Sequence, residues 1–255
     1  MMRSGNPALN DATFARLSED VGYSANTMTI RGTAAKTMIL LGLCTGTACF
    51  TWSMVWSAVQ GLAPAASVYP WMMGGLIGGL AFAIATSFVP RWAAVTAPLY
   101  AVAEGLFLGG LTAIVEMRYP GIALQGVSAT FGTLFALLMA YQSGLIKATE
   151  NFKLGVVAAT GGICLLYLVG FVLSFFGMGI PFIHQPNWIG IGFSVFVVIV
   201  AALNLVLDFD FIENAANNGA PKHLEWYGAF GLMVTLVWLY IEILRLLSKI
   251  YASRD

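Results

Sequence analysis

Charge is what this sequence has least of: only 9% of its 255 residues are Asp, Glu, Lys or Arg, against the roughly one quarter usual in soluble domains. That is too little to cover a water-facing surface. Net charge is absent as well, since twelve basic and twelve acidic side chains cancel, and with it the positive field that a nucleic-acid binder needs. Cysteine is scarce: Cys44, Cys49 and Cys164 lie in apolar stretches without CxxC or ligand spacing. They read as small packing residues, and neither a disulfide framework nor a metal centre is expected. The only histidines, His184 and His223, fall in expected connections with no catalytic partner nearby in sequence. What is plentiful is apolar, at 59% hydrophobic residues and a mean hydropathy of +0.82. A single water-soluble core could not bury that much, so the surrounding solvent must be mostly lipid.

A helix needs about 20 apolar residues to cross the hydrocarbon, and the chain offers seven such stretches, at roughly 35–57, 68–89, 92–115, 121–143, 153–177, 188–210 and 224–247. They are too long and continuous for barrel strands, so the expected fold is an all-α, seven-helix transmembrane bundle. Turn chemistry at Pro90-Arg91, Tyr119-Pro120-Gly121 and Asn217-Asn218-Gly219-Ala220-Pro221 makes consecutive helices antiparallel neighbours. The domain reading is a polar, cytoplasmic segment over roughly residues 1–33, without the apolar core of a signal peptide, followed by one transmembrane domain over roughly 34–255. Within the polar segment Leu9, Phe14, Leu17 and Val21 recur at near-helical spacing. Residues 10–21 are therefore either a short amphipathic helix on the membrane or a partly ordered tail.

Lys and Arg placement sets the expected orientation. Arg3, Arg16, Arg31 and Lys36 precede or open the first crossing, and Arg91, Lys147, Lys153 and Lys222 mark alternate connections. The N-terminus is thus expected in the cytoplasm. Seven crossings then put the C-terminus outside, in conflict with Arg245, Lys249 and Arg254 near it. A re-entrant last segment would return it to the inside, but seven full spans are favoured because residues 224–247 are long enough and unbroken by Pro. Small residues guide packing in lipid: Gly74, Gly75, Gly78 and Gly79 give two overlapping GxxxG registers, and Gly105 with Gly109 give a third, all expected to be helix contacts. Trp188, Trp226 and Tyr227, at span ends, suit an interfacial aromatic belt.

Carboxylates at membrane depth are expensive and usually functional. The candidates are Glu104, Asp208, Asp210, Glu225 and Glu242. Glu104 sits in the middle of the third span, where it is either functional or a hydrogen-bonded structural acid. Two residues turn a helix by roughly 200°, so Asp208 and Asp210 cannot share a face. Asp208, the deeper one, is expected to point inward, with Asp210 and Glu213 nearer water. Depth then favours Glu225 over Glu242 as its partner on the last span, while Glu242 has Arg245 available three residues on. A carboxylate cluster in a low-dielectric cavity would bind a hard cation through oxygen ligands, Asp208 foremost, and release it on protonation. It would equally serve as a clasp between the last two helices.

Seven spans, the acidic motif Leu207-Asp208-Phe209-Asp210-Phe211-Ile212-Glu213 and the ending Ile243-Leu244-Arg245-Leu246-Leu247 resemble the Bax inhibitor-1 family. Ser4-Gly5-Asn6-Pro7-Ala8-Leu9-Asn10 and Tyr119-Pro120-Gly121-Ile122 resemble a bacterial subgroup of it, which implies a multi-pass protein of the bacterial inner membrane. The resemblance covers nearly the whole chain. It implies a bundle with the last helix at its centre and, for some members, a pH-dependent calcium leak controlled by paired aspartates on the last two helices. Asp208 matches the first of that pair. Aligning Leu244-Arg245 places Thr235 at the second, so Glu225, Glu104 or Glu242 would have to substitute, with Glu225 favoured by depth.

The leading functional expectation is therefore a proton-modulated cation leak, with calcium as the transported ion and no cofactor. The alternative is a non-transporting regulator that binds other membrane proteins, such as membrane proteases or stress-response factors, through its glycine faces and N-terminal segment. An intramembrane aspartyl protease is disfavoured because Val206-Leu207 precedes Asp208 where such enzymes carry Gly-x-Gly. The expected partners are the bilayer and membrane proteins, with no nucleic acid and no enzyme activity. The oligomeric state is left open.

Overall fold

The computed structural model describes residues 27–62, 64, 67–177 and 185–253. Within them all seven expected crossings are helices long and apolar enough to span a membrane. They are α1 (Ile30–Val59), α2 (Tyr69–Phe88), α3 (Ala93–Arg118), α4 (Ile122–Gln142), α5 (Glu150–Phe175), α6 (Trp188–Asn217) and α7 (Leu224–Ala252), with a 3₁₀ turn at Pro90–Trp92 between α2 and α3. The chain is a multi-pass, all-α membrane protein. The suggested helix over 10–21 lies outside the described residues, as does His184.

Local chemistry sets the helix ends. Thr29, Thr149 and Asn187 stand in extended backbone at the N-caps of α1, α5 and α6, each side chain accepting from a backbone N–H three residues on, so one orphan donor per helix is satisfied. Gly121 opens α4 at φ +91, where a side chain would be strained. There the Glu116 carboxylate, one turn back on α3, accepts from the N–H groups of Gly121 (2.6 Å) and Ala123 (2.8 Å).

The last helix is the hub. α7 packs against α1, α3, α4 and α6, whereas α5 is held chiefly by α6. Accordingly 61% of the central window of α7 is buried against 11% for α5, so α7 is solvated by protein and α5 by lipid. Around α7 the core gathers Leu205 and Phe211 of α6, Tyr100 of α3 and Leu40 of α1.

Glycine selects the tightest contact, between α1 and α3. Gly105 and Gly109 lie directly on the α1 backbone at Cys44 and Ala48, close enough for Thr47 Oγ1 to donate across to the Val102 carbonyl at 3.1 Å. On α2 only one of the two GxxxG registers packs closely. A Cβ on Gly75 would lie 2.5 Å from the Ala103 carbonyl and one on Gly79 2.8 Å from Glu104, while Gly74 faces open space and Gly78 makes ordinary contact. Two further expectations need correcting. Tyr227 is completely buried, because it lies on the inner face of α7 against Phe230, and so belongs to no interfacial belt; Trp188 is 94% exposed. Only Cys44 is a packing residue, since Cys49 and Cys164 are exposed on the protein's outer surface.

Candidate functional site

Asp208 is wholly buried in α6, between Leu205 and Phe211, and Thr235 in the middle of α7 is 3% exposed. The Thr235 hydroxyl donates to Asp208 Oδ2 at 2.6 Å. This bond ties the last two helices together inside the apolar core, where a hydrogen bond is electrostatically stronger than in water. One turn earlier on the same stripe, Asn204 donates to Thr160 Oγ1 of α5 at 2.8 Å. Polar residues four apart thus reach in turn toward α5 and α7.

The structure sends the remaining acids to separate partners. Glu225 does not take the position across from Asp208 that depth suggested. It begins α7, where the N-terminal approach to α1 captures it: Thr29 donates to its Oε1 through both N and Oγ1, each at 2.9 Å, and Lys36 pairs with its Oε2. Gly32 makes room, since a Cβ there would collide with the Glu225 carboxylate. Asp210, on the other side of α6, pairs with Lys153 of α5 at 2.8 Å. Glu213 accepts from the Tyr141 hydroxyl of α4. Glu242 pairs with Arg245 at 2.8 Å, as their spacing allowed, and also accepts from Tyr167 of α5. Glu104 stays on α3, near the Tyr100 hydroxyl and facing Gly79 of α2.

Sequence reasoning treated Lys36, Lys153 and Lys249 as markers of membrane orientation, yet all three have internal partners. Lys249 is 5% exposed and donates to the Gly190 carbonyl (2.9 Å) and Ser194 (2.7 Å) at the start of α6. Two of the three C-terminal cations that conflicted with the expected topology, Arg245 and Lys249, therefore serve contacts within the bundle. A signal was available: Lys36 stands six residues into α1, and a cation at such a depth requires a partner.

At the end of the bundle where α7 begins, the chain leading into α1 is clamped to the α6–α7 turn. Met28 N donates to the Ala220 carbonyl at 2.6 Å, and Thr27 bridges to Pro221. His223 lies in the same turn, with its Nε2 buried and no hydrogen-bond partner among the described residues. Burial, and secondarily the nearby Arg91, holds its pKa below the ordinary histidine value. Between that lowered value and about 6.5 the unfolded chain binds a proton that the folded one refuses. The stability His223 allows is therefore complete above about pH 6.5 and declines as pH falls below it. His223→Gln should flatten this acid limb of the thermal midpoint measured in detergent. An acid limb identical in wild type and variant would refute the assignment.

Calcium takes six to eight oxygen ligands, and among the described residues no group of three or more His, Cys, Asp or Glu comes together. Asp208 and Thr235 could give a passing cation one carboxylate and one hydroxyl, so most of its ligands would have to be water. No curated protein and no solved structure matches the chain. The family profile described as Bax inhibitor 1 like matches residues 6–252, spanning all seven helices and the Asp208–Thr235 contact, and the chain belongs to that family.

Proposed function

We propose that this protein is a pH-sensitive cation leak of the bacterial inner membrane, with calcium as the ion, its N-terminus in the cytoplasm and Asp208 as the gating carboxyl. The observation that carries the reading is the Asp208–Thr235 hydrogen bond, buried where the two most buried stretches of α6 and α7 meet. Asp210, Glu225 and Glu242 each carry a resident cation in Lys153, Lys36 and Arg245. Asp208, wholly buried, accepts from the Thr235 hydroxyl of α7. An ionised carboxylate in an apolar core costs several kcal/mol unless a cation or water joins it. Its protonation state is thereby coupled to whether α6 and α7 stay closed around it.

Purified protein in liposomes loaded with a calcium indicator tests the reading. Asparagine mimics the protonated acid in shape and neutrality. Wild-type flux should change between about pH 6 and pH 8, whereas Asp208→Asn should hold one flux throughout, equal to the wild type's acid limit. The leak is rejected if wild-type liposomes pass no calcium at any pH, or if the variant retains the full pH profile. The regulator reading would then stand, supported by the clamp through which a partner pulling on the N-terminal segment would reach α7.

A further inference from the structure

On the side of α7 turned away from Asp208, a hollow of about 440 Å³ lies between α1, α3, α4 and α7. Its floor is Met233, Leu236, Val237 and Tyr240 of the central helix; its walls include Thr45 of α1 and Val127 of α4. α1 and α4 barely touch, so the hollow opens sideways between them. Every lining residue falls within a spanning helix, and the opening therefore faces hydrocarbon and not water.

Shape and chemistry together identify an occupant. The α1 wall runs from Leu41 to Trp52, a rise of about 16 Å, close to the ~15 Å depth of one leaflet. Spread over that length, the 440 Å³ within reach of the centre of a water-sized sphere gives a cross-section of roughly 27 Å², or about 60 Å² once the sphere's ~1.4 Å radius is added, while a helix about 10 Å across would need roughly 80 Å². The slot is thus too narrow for a helix from a second copy or another protein. It also offers little to a polar ligand. Thr130 donates to its own helix at Gly126 (2.8 Å), and Thr112 and Tyr240 bond each other (2.9 Å), so those hydroxyls are already engaged and the rest of the wall is almost entirely apolar.

We infer that this slot binds one acyl chain of a bilayer phospholipid. The chain lies against α7 roughly 150° around the helix from Thr235, so it backs the face opposite the Asp208 contact. This site stands independently of the leak reading, because it requires neither flux nor titration.

Photolabelling of the full-length protein tests it, in liposomes containing a phosphatidylcholine with a diazirine midway along one acyl chain, followed by peptide mapping of the adducts. Adducts on the slot residues should exceed those on the open lipid face of α5, at Leu165 and Leu168, by about tenfold, the ratio expected of a retained chain over exchanging ones. Thr45→Trp and Val127→Trp fill the slot from opposite walls at exposed positions. Each should remove that excess and leave the α5 adducts unchanged. Adducts spread evenly over both faces, or a slot excess that survives both tryptophans, would overturn the site. An unlabelled slot would also overturn it, by showing that no acyl chain enters.

Discussion

Gly109→Ala and Gly105→Ala are each expected to destabilise the protein severely, while Gly46→Ala and Gly74→Ala leave it unchanged or slightly more stable. All four add one methyl group to a spanning helix, so composition alone predicts equal effects. At Gly109 the methyl would collide with the Ala48 carbonyl and Thr51 hydroxyl, and at Gly105 with the Cys44 carbonyl and Thr47 hydroxyl. Backbone atoms cannot rotate aside, so α1 and α3 would have to separate. Separation would also break the Thr47 bond to the Val102 carbonyl. In lipid there is no hydrophobic force to hold two helices together, and close packing of this kind is what does so. Overpacking costs about 1–3 kcal/mol at a yielding site and more at an unyielding one, so each substitution should reach at least the top of that range. Gly46 and Gly74 have nothing within 4 Å of the added methyl, and alanine there gains up to about 1 kcal/mol of helix propensity. Thermal midpoints in detergent separate the two pairs. Equal midpoints for all four variants would refute the packing account.

The same glycines mark how far the sequence reaches. Long apolar runs and small-residue spacing require no knowledge of neighbours, which is why seven spans and the Gly105–Gly109 contact face follow from composition and period alone. The two registers on α2 are indistinguishable by spacing, and only the rotation of α2 against α3 selects Gly75 and Gly79 over Gly74 and Gly78. The division of labour between Asp208 and Asp210 was legible because 100° per residue separates their faces: one meets Thr235, the other Lys153. The partner of Asp208 was not legible from the residues themselves, because depth along two helices does not fix which side chains oppose each other. A search confined to acids misses threonine, and Thr235 was marked only by the family resemblance. Glu225 was misassigned for a related reason: its partners Thr29 and Lys36 lie 196 and 189 residues away, beyond any local pattern.

That long-range pair yields the second large effect, and an asymmetric one. The Glu225 side chain is 1% exposed and that of Lys36 18%, so the lysine can turn toward water and the carboxylate cannot. Lys36→Met keeps the stem packed near Trp226, over which the ammonium now lies, but leaves Glu225, among the described residues, with only the two Thr29 donors to offset its charge. Removing one partner of a buried pair costs about 3–5 kcal/mol, because the other charge is stranded; the partial exposure of Lys36 places this case near the lower figure. Glu225→Gln strands the charge that can reach water and keeps an oxygen for Thr29, so it should cost much less. The double variant Lys36→Met with Glu225→Gln has no stranded charge. It should recover most of the loss, giving a coupling well outside the additive range of about 0.5 kcal/mol. Thermal midpoints of the three variants in one detergent decide the matter, and equal single losses that simply add in the double would mean that the pair does not fasten α1 to α7. Under the leak reading the Lys36→Met protein should also pass calcium faster than wild type while keeping its pH dependence, because the clamp lies at the end of the bundle where α7 begins and the titrating carboxyl Asp208 remains in place within it.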